Sequence, residues 1–385
     1  MTKNNQQKSQ GKALVIGAGV SGLTTALCLQ RNGFQVTVVA QKFAPEITSV
    51  VAAALWQWPP PALGEDSEDQ NSLSNAKKWC MTSYDYFANL ADSPETGVFL
   101  RPVVVYFKHL VQDNPHDQER MDELRDKVDE FVHTTALITE NKINTEIGLK
   151  DAYSHFAPMI DMDVYMGYLL KQIKQADCQV LTKKISGNLK EEEEKLKKEF
   201  GVDLIVNCSG LGARELAPSD MYPLRGAWIR VRNDGKKIPR ITKAHWLSHD
   251  KSSDEQDFIY IVPKGHDILL LGGLVEPHKW DLNIDLESYQ PVKDMLKRCV
   301  EFMPALKDAE IDFNEPIRVG LRPFRRLNVR LEREPDTAII HNYGHGGAGV
   351  TLSWGCAFEV LEIANAIVTK QQKFSSSLEE QPTTF

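Results

Sequence analysis

The sequence lacks the features that would point to nucleic acid, a membrane span or a metal. Its 45 Lys and Arg are outnumbered by 53 Asp and Glu, and a net charge of -8 supplies no positive field for nucleic acid. No continuous apolar run approaches the roughly 20 residues of a membrane-spanning helix. Neither the six cysteines nor the ten histidines show metal-ligand spacing, and no C-x-x-C pair occurs. We therefore expect no nucleic acid, no membrane and no metal among the partners.

Targeting signals and disulfide patterns are also missing. Residues 1–10 are polar and contain no apolar signal core, and residues 382–385 are not a peroxisomal tripeptide address. The cysteines are widely spaced among apolar neighbours, which is typical of buried thiols. The 385 residues are 42% hydrophobic, enough to bury the cores of two domains. We expect a cytoplasmic protein of two domains.

A strand, a glycine motif, a helix and a second strand follow one another in residues 12–40. Residues 12–16 and 34–40 are apolar runs typical of strands buried in a parallel sheet. Between them lies the motif G-x-G-x-x-G, in which the glycines allow a tight turn, close approach of a pyrophosphate and close packing of helix on strand. Its residues are Gly17, Ala18, Gly19, Val20, Ser21 and Gly22. The pattern predicts a dinucleotide at the start of the helix.

The residues after the second strand leave the choice of dinucleotide open. An acidic side chain that would bind ribose hydroxyls is replaced by Gln41 and Lys42. Gln41 can still hydrogen-bond a hydroxyl. Lys42 suits either a 2′-phosphate or, more simply, a solvated surface position. From these residues alone, FAD, NAD and NADP all stay open.

Later segments indicate that the two domains are interleaved. Residues 98–107 read as a strand whose inner Pro102 predicts an edge position. Residues 203–208 form another buried strand of the dinucleotide domain, whereas residues 222–274 contain β-branched runs bounded by glycine, which favour antiparallel strands.

A glycine-rich stretch at residues 342–357 precedes a run of helix formers. Its glycines are Gly344, Gly346, Gly347 and Gly349. Unpaired N–H groups at the start of the helix should attract negative charge. By itself the stretch is equally typical of a turn before a surface helix.

Taken together, these segments resemble the D-amino-acid oxidase family of FAD enzymes. The resemblance rests on six stretches in the family's order, and residues 60–150 are similar only loosely. The stretches are residues 15–27, 51–57, 205–210, 260–263, 321–323 together with 329–334, and 341–349. The resemblance favours FAD. It implies an α/β fold with a doubly wound parallel-sheet FAD-binding domain and a mostly antiparallel-sheet substrate domain. We assign residues 11–61, 161–221 and 316–370 to the first domain, residues 62–160 and 222–315 to the second, and residues 1–10 and 371–385 to flexible tails.

The resemblance also implies which residues bind FAD. The diphosphate is expected on residues 17–22, and residues 346–351 with the following helix should face the pyrimidine side of the flavin. By themselves, the small residues beside Trp56 suit either a flat aromatic ligand or an alanine-rich core element with the tryptophans packed inside. Besides Gln41 and Lys42, the further cofactor positions are Thr48, Ser49, Ala53, Ala54, Leu55, Trp56, Ile185, Ser209, Gly210, Gly346, Gly347, Gly349, Val350 and Thr351.

For the substrate, the matching positions are Arg322, Tyr260 and the carbonyl of Gly347. The planar fork of Arg322 would bind the α-carboxylate, Tyr260 would add a hydroxyl contact, and Gly347 would accept from the amine. The family's reaction passes a hydride from the substrate Cα to the flavin and needs no general base. The imino acid then hydrolyses, and dioxygen is reduced to hydrogen peroxide. Arg318 and Arg325 are interpreted as structural.

Two departures leave the substrate open. Gln256 occupies the position of the lid tyrosine of vertebrate members, and Ala348 replaces an aromatic residue. Both suggest a wetter or larger pocket. The first hypothesis is a D-amino-acid oxidase. The alternatives are a flavin oxidase or dehydrogenase of glycine, N-methyl amino acids or a specialised-metabolite amine, a flavin-binding protein without turnover, and a nicotinamide dehydrogenase. A homodimer is compatible with all of them.

Overall fold

Two sheets with helices packed on them make up the computed structural model, which describes residues 10–60, 70–247 and 259–379. These residues form fifteen strands. In chain order they are β1 Gly11–Ile16, β2 Phe34–Ala40, β3 Val98–Phe107, β4 Val132–His133, β5 Asp151–Ile160, β6 Gln179–Thr182, β7 Leu204–Asn207, β8 Met221–Arg232, β9 Ala244–Leu247, β10 Ile259–Lys264, β11 Ile268–Gly272, β12 Glu276–Pro277, β13 Ile317–Arg325, β14 Arg330–Arg333 and β15 Ile339–Tyr343.

The described chain also contains nine α-helices and several short 3-10 turns. The helices are α1 Val20–Arg31, α2 Gln70–Leu90, α3 Pro115–Arg125, α4 Ala136–Glu140, α5 Met162–Gln175, α6 Leu189–Phe200, α7 Ala213–Leu216, α8 Gln290–Phe302 and α9 Gly349–Glu379. Two of the 3-10 turns are Thr48–Val51 and Gly346–Ala348.

Side-chain caps begin three of these helices. Asn114 accepts from two backbone N–H groups at the start of α3, Asp161 accepts from one at the start of α5, and Asn188 does the same for α6. Each cap satisfies a donor that has no partner within the helix. The charge run in residues 187–200 suits either loop or helix by sequence, and the structure forms a helix from Leu189 to Phe200.

The first sheet is the predicted dinucleotide-binding sheet. Its strand order is β14-β15-β7-β1-β2-β6, and every pairing is parallel except that of β14 with β15. In β1, Ala13, Leu14 and Val15 are all fully buried, as expected for a parallel strand covered by helices on both faces. The βαβ unit predicted in residues 12–40 is therefore confirmed.

The second sheet is almost entirely antiparallel. Its order is β12-β8-β11-β10-β9-β3-β5-β4, with β13 paired to β8, and only β3 and β9 run parallel. Strand β13 thus belongs to this sheet, although our domain boundary assigns its residues to the cofactor domain. Nine consecutive antiparallel pairs, from Ile317 with Ile229 to Arg325 with Met221, hold it there.

Strand β3 is an interior strand, and the predicted edge position is wrong. It pairs with β5 along its whole length and with β9 on its other side. The pairing with β9 begins only at Val103. Pro102 therefore lies just outside that ladder, where its missing N–H breaks no pairing with β9.

Helix α9 is the longest helix described. Residues 346–371, most of which belong to α9, are long and apolar enough to cross a membrane by length and composition, but 67% of the apolar 18-residue window within them is buried inside the protein. The helix packs on α1 and α2, and Gly355 brings it so close to α2 that an added Cβ would overlap the backbone of Trp79. We interpret its apolar composition as that of a core helix.

Two buried histidines predict that the protein loses stability in mild acid. Burial lowers the pKa of His155 to about 4 and that of His245 to about 3, from an ordinary value of 6.5. Below pH 6.5 the unfolded chain binds protons that the folded protein does not. The free energy of unfolding should then fall as the pH drops from about 6.5 toward 4, with a limiting slope of about 1 kcal/mol per pH unit for each histidine.

Thermal unfolding midpoints measured across this interval check the prediction. His155→Gln should flatten the pH dependence, whereas His116→Gln, at an exposed position, should leave it unchanged. Equal slopes for the parent protein and His155→Gln would contradict it.

Candidate active site

A cavity of about 690 Å³ lies where the two sheets meet. It extends from the glycine turn after β1, past residues 48–55, to β10, β13 and the turn before α9. Most of the residues that the sequence assigned to a ligand line it. They are Gly17, Ala18, Gly19, Val20, Ser21, Gln41, Lys42, Thr48, Ser49, Ala53, Ala54, Leu55, Ile185, Ser209, Gly210, Tyr260, Arg322, Gly346, Gly347, Gly349, Val350 and Thr351.

Gly22 and Trp56 were also assigned to the cofactor, but they do not line the cavity. An added Cβ at Gly22 would overlap the carbonyl oxygen of Gly17, so Gly22 serves the close packing of α1 on the turn. Trp56 is 1% exposed, and its indole N–H donates to the carbonyl of Cys80 over 3.0 Å. Its ring therefore belongs to the core.

The turn after β1 is built by backbone that only glycine accommodates. Gly17 has φ of 116°, in the left-handed region, and lies against the carbonyl of Cys208. Gly19 leaves room for Ser49, whose Oγ would be 3.1 Å from an added Cβ. That hydroxyl accepts from the Val20 N–H over 2.9 Å. The start of α1 has no acidic side chain and faces the cavity, which suits an anionic ligand.

Arg322 is a cation without a carboxylate partner among the residues described. Its Nη1 donates to the carbonyl of Leu274 over 3.4 Å. An added Cβ at Gly226, which pairs with Gly320 on the neighbouring strand β8, would overlap the guanidinium, so the glycine makes the space for this side chain. Burial lowers the pKa of Arg322, but an arginine remains charged at neutral pH. The cavity therefore holds an uncompensated positive charge with a planar set of donors.

Tyr260 presents its hydroxyl in the same part of the cavity. Burial raises the pKa of Tyr260 above its ordinary value of 10.0, so the phenol remains a neutral donor. The Gln57 amide donates to this hydroxyl over 3.1 Å. The ring stacks on Trp246, with centroids 5.7 Å apart, and meets Trp228 edge-on at 6.3 Å. These contacts restrict the orientation of the phenol.

Gln57 and Trp228 also line the cavity, but neither was predicted as a site residue. Gln57 is visible in the sequence only as the last residue of the stretch 51–57. Trp228 lies opposite Gly272 across β8 and β11, and its indole occupies the space that a side chain at Gly272 would need. Cross-strand register places Trp228 at the cavity wall, and no local pattern reports that register.

The glycine turn before α9 brings the other end of the chain to Arg322. Gly344 and Gly346 have positive φ, and an added Cβ at Gly347 would lie 3.8 Å from Cδ of Arg322. Burial lowers the pKa of His345 to about 4, so this imidazole is neutral at pH 7. Its Nδ1 is 3.5 Å from the hydroxyl of Ser21, while its Nε2 is buried with no partner in the described chain.

Ala348, which replaces an aromatic residue of the family, does not line the cavity. Ala348 is fully buried in a core cluster with Leu55 and Leu352 and is not part of the cavity wall. The 3-10 turn directs this side chain into the core, so the suggestion of a wetter or larger pocket stays a prediction that the cavity wall itself does not test. Gln256, the second departure, lies outside the described residues.

Carboxylates occur only at the far end of the described cavity wall. Glu46 pairs with Lys42 over 3.6 Å, and Glu215 pairs with Lys184 over 2.9 Å. The side chain of Lys42 is 57% exposed in this pair, in line with a surface lysine. Near Arg322, the described residues thus offer hydrogen-bond donors and a carbonyl, but no acidic group.

Comparison with known proteins agrees with this geometry. Residues 12–363 match the family model described as FAD dependent oxidoreductase. The chain is 34% identical to a D-amino-acid oxidase of Rubrobacter xylanophilus over 93% of this chain and 97% of that protein. It is 30% identical to the D-aspartate oxidase of Homo sapiens, over 92% and 94% of the two chains.

Solved structures share the fold. The glycine oxidase of Geobacillus kaustophilus superposes with a TM-score of 0.70, covering 92% of this chain and 95% of that one, at 17% identity. This likeness extends through both sheets and confirms the predicted α/β fold class. The protein therefore belongs to the family of FAD-dependent oxidoreductases that includes D-amino-acid oxidase.

Proposed function

We propose that this protein is an oxidase of D-amino acids. The observation that carries the proposal is the position of Arg322, Tyr260 and Gly347 together at one end of a cavity that begins at the cofactor-binding turn. The similar D-amino-acid oxidases and D-aspartate oxidase support the substrate class. Glycine has the same α-carboxylate and amine as a D-amino acid. The glycine oxidase structures, at 17% identity, support a shared fold and not a shared substrate.

The residues at the cavity suit FAD. The glycine turn and the start of α1 offer backbone N–H groups to a diphosphate, and an added Cβ at Gly17 or Gly22 would fill or distort that turn. Beside the second glycine turn, Nε2 of His345 and Oδ1 of Asn342 are buried polar atoms with no hydrogen-bond partner among the residues described. When bound, FAD supplies a two-electron acceptor for the α-hydrogen of the substrate.

The protein's own groups bind and orient the amino acid. Arg322 offers two parallel N–H donors to the α-carboxylate, and the hydroxyl of Tyr260 adds a third donor. The carbonyl of Gly347 accepts from the amine. Arg322 is cationic and His345 is neutral at pH 7, so the described wall near Arg322 supplies no anionic base. The substrate must therefore arrive with its amine already neutral, and catalysis depends on orientation.

A substrate screen tests the proposal. Anaerobic addition of D-alanine, D-proline or D-aspartate should bleach the flavin absorbance of the purified protein, and admission of air should restore it with formation of hydrogen peroxide. L-Alanine, glycine and sarcosine serve as comparison amines in the same assay. Bleaching by none of the D-amino acids would refute the proposed function, and bleaching without peroxide would indicate a dehydrogenase.

Substitution of Arg322 tests the carboxylate site. Arg322→Met should retain FAD but lower kcat/KM for the best D-amino acid by at least about a hundredfold, because a charge-assisted bidentate pair is lost. Arg325→Lys is the matched control on β13, since Arg325 is bonded instead to Asp220 over 3.1 Å. An unchanged KM in Arg322→Met would contradict the assignment.

Substitution of Gly22 tests the cofactor turn. Gly22→Ala places a methyl group against the carbonyl of Gly17, so the turn must shift, and FAD affinity should fall by at least about tenfold. The dissociation constant is measured by titrating apoprotein into FAD and following flavin fluorescence. Gly167→Ala is the control, because an added Cβ there meets nothing within 4 Å. Equal affinities of the two variants would exclude this role of Gly22.

A further inference from the structure

We propose that Arg318 is a positioning residue of the cofactor site. By its hydrogen bond to Val50 it would hold the 3-10 turn Thr48–Val51 against the first turn of α1, and it would thereby help to set the affinity for FAD. The proposal concerns the binding of the cofactor and does not depend on which amine is the substrate. The sequence offered only a structural interpretation of Arg318, as one of several neighbouring arginines.

One face of β13 connects the two ends of the cavity. Arg318, Gly320 and Arg322 alternate along the strand and therefore lie on the same face. Arg322 reaches into the cavity at the substrate end. An added Cβ at Gly320 would lie 2.8 Å from Cγ1 of Val51, so this glycine lets residues 48–51 rest directly on the strand.

The guanidinium of Arg318 is held from three sides. Its Nη1 donates to the carbonyl of Val50 over 2.9 Å and to the carboxylate of Asp163 over 2.9 and 3.0 Å. Its Nε donates to Glu315 over 2.7 Å, and its side chain is only 16% exposed. Lys264 in turn contacts Asp163 over 2.9 Å. Because carboxylates hold the side chain on two sides, the donor that faces Val50 has a defined position.

The turn that Arg318 holds leads directly to the glycine motif. Val50 is 4% exposed, and the preceding residue, Ser49, lines the cavity. The Ser49 hydroxyl accepts from the N–H of Val20, the first residue of α1, over 2.9 Å. A connected path therefore runs from Arg318 through Val50 and Ser49 to the helix start at which the diphosphate is expected.

Loss of Arg318 would leave the buried Val50 carbonyl without this donor. An unsatisfied buried carbonyl costs free energy, so the turn would shift toward another partner and move Ser49 away from α1. The turn Thr48–Val51 would then have to be reordered against the first turn of α1 when FAD binds, and this ordering lowers the affinity for FAD. Arg322 contacts neither Val50 nor Ser49 in these hydrogen bonds, so the carboxylate site should be affected less.

Equilibrium binding of FAD to apoprotein tests the proposal. Arg318→Met should weaken FAD binding by about tenfold, measured through flavin fluorescence. Arg318→Lys keeps the positive charge for Asp163 but lacks the planar fork that serves Val50 and Glu315 together, and it should weaken binding several-fold. It also preserves the test if Arg318→Met does not fold. An FAD affinity equal to that of the parent in both variants would overturn the proposal.

A double-mutant cycle tests whether Arg318 acts through Ser49. Ser49→Ala removes the acceptor for the Val20 N–H, and it should also weaken FAD binding. If Arg318 acts by placing this hydroxyl, the double variant should bind FAD about as well as the weaker single variant. If the two substitutions lower the free energy of FAD binding additively, Arg318 does not act through Ser49, and the proposal is refuted.

Arg225 provides a matched control for a merely structural effect. It is buried, pairs with Glu276 over 2.7 Å and donates to the hydroxyl of Tyr289 over 2.6 Å, and its described partners include neither residues 48–51 nor the carboxylates that hold Arg318. Arg225→Lys should lower the thermal unfolding midpoint of the apoprotein and leave the FAD dissociation constant unchanged. If Arg225→Lys and Arg318→Lys weaken FAD binding equally, the effect is one of general stability and the assignment is refuted.

Discussion

The site depends on a positive charge that the described protein leaves unpaired. The guanidinium of Arg322 lies against Gly226 of the neighbouring strand β8 and donates to a backbone carbonyl at 3.4 Å, and no described carboxylate neutralises it. Burying such a group costs free energy unless a partner of opposite charge arrives. A free amino acid brings a carboxylate of matching planar geometry. The cost of building the site is thus recovered when the ligand binds, which favours amino acids over simple amines.

Packing of the second sheet on the first determines where that charge meets the cofactor. Strand β13 pairs with β8 along nine residues and carries Arg322 toward the substrate end of the cavity. The same face of β13 supports the turn that reaches the start of α1. Glycines at positions 226 and 320 permit these close approaches, because larger side chains would collide with Arg322 and Val51. The two binding regions therefore share one rigid element.

Prediction from the sequence succeeded where the signal was local or matched a family motif. The βαβ unit is a continuous pattern of apolar strand, glycine turn and helix. Arg322, Tyr260 and Gly347 are far apart in the chain, and their substrate-binding roles, which stay predictions, came only from resemblance to a family; the structure brings the three residues to one cavity. Trp228 was not predicted to line the cavity because its position there depends on cross-strand pairing with Gly272. Pro102 led to a wrong prediction of an edge strand, because a strand can lie inside a sheet when its second partner strand begins beyond the proline.

Local sequence patterns were sufficient to predict the dinucleotide fold, and family motifs were sufficient to predict FAD and to propose residues that bind an α-carboxylate. These predictions depend on neighbouring residues and on short motifs. The three-dimensional structure was needed to show that Gly22 and Trp56 serve packing, that the methyl group of Ala348 is directed into the core, that Gln57 lines the cavity, and that Arg318 contacts Val50. Such roles depend on distances between segments far apart in the chain, and these distances follow from sheet register and from the close packing of the two sheets.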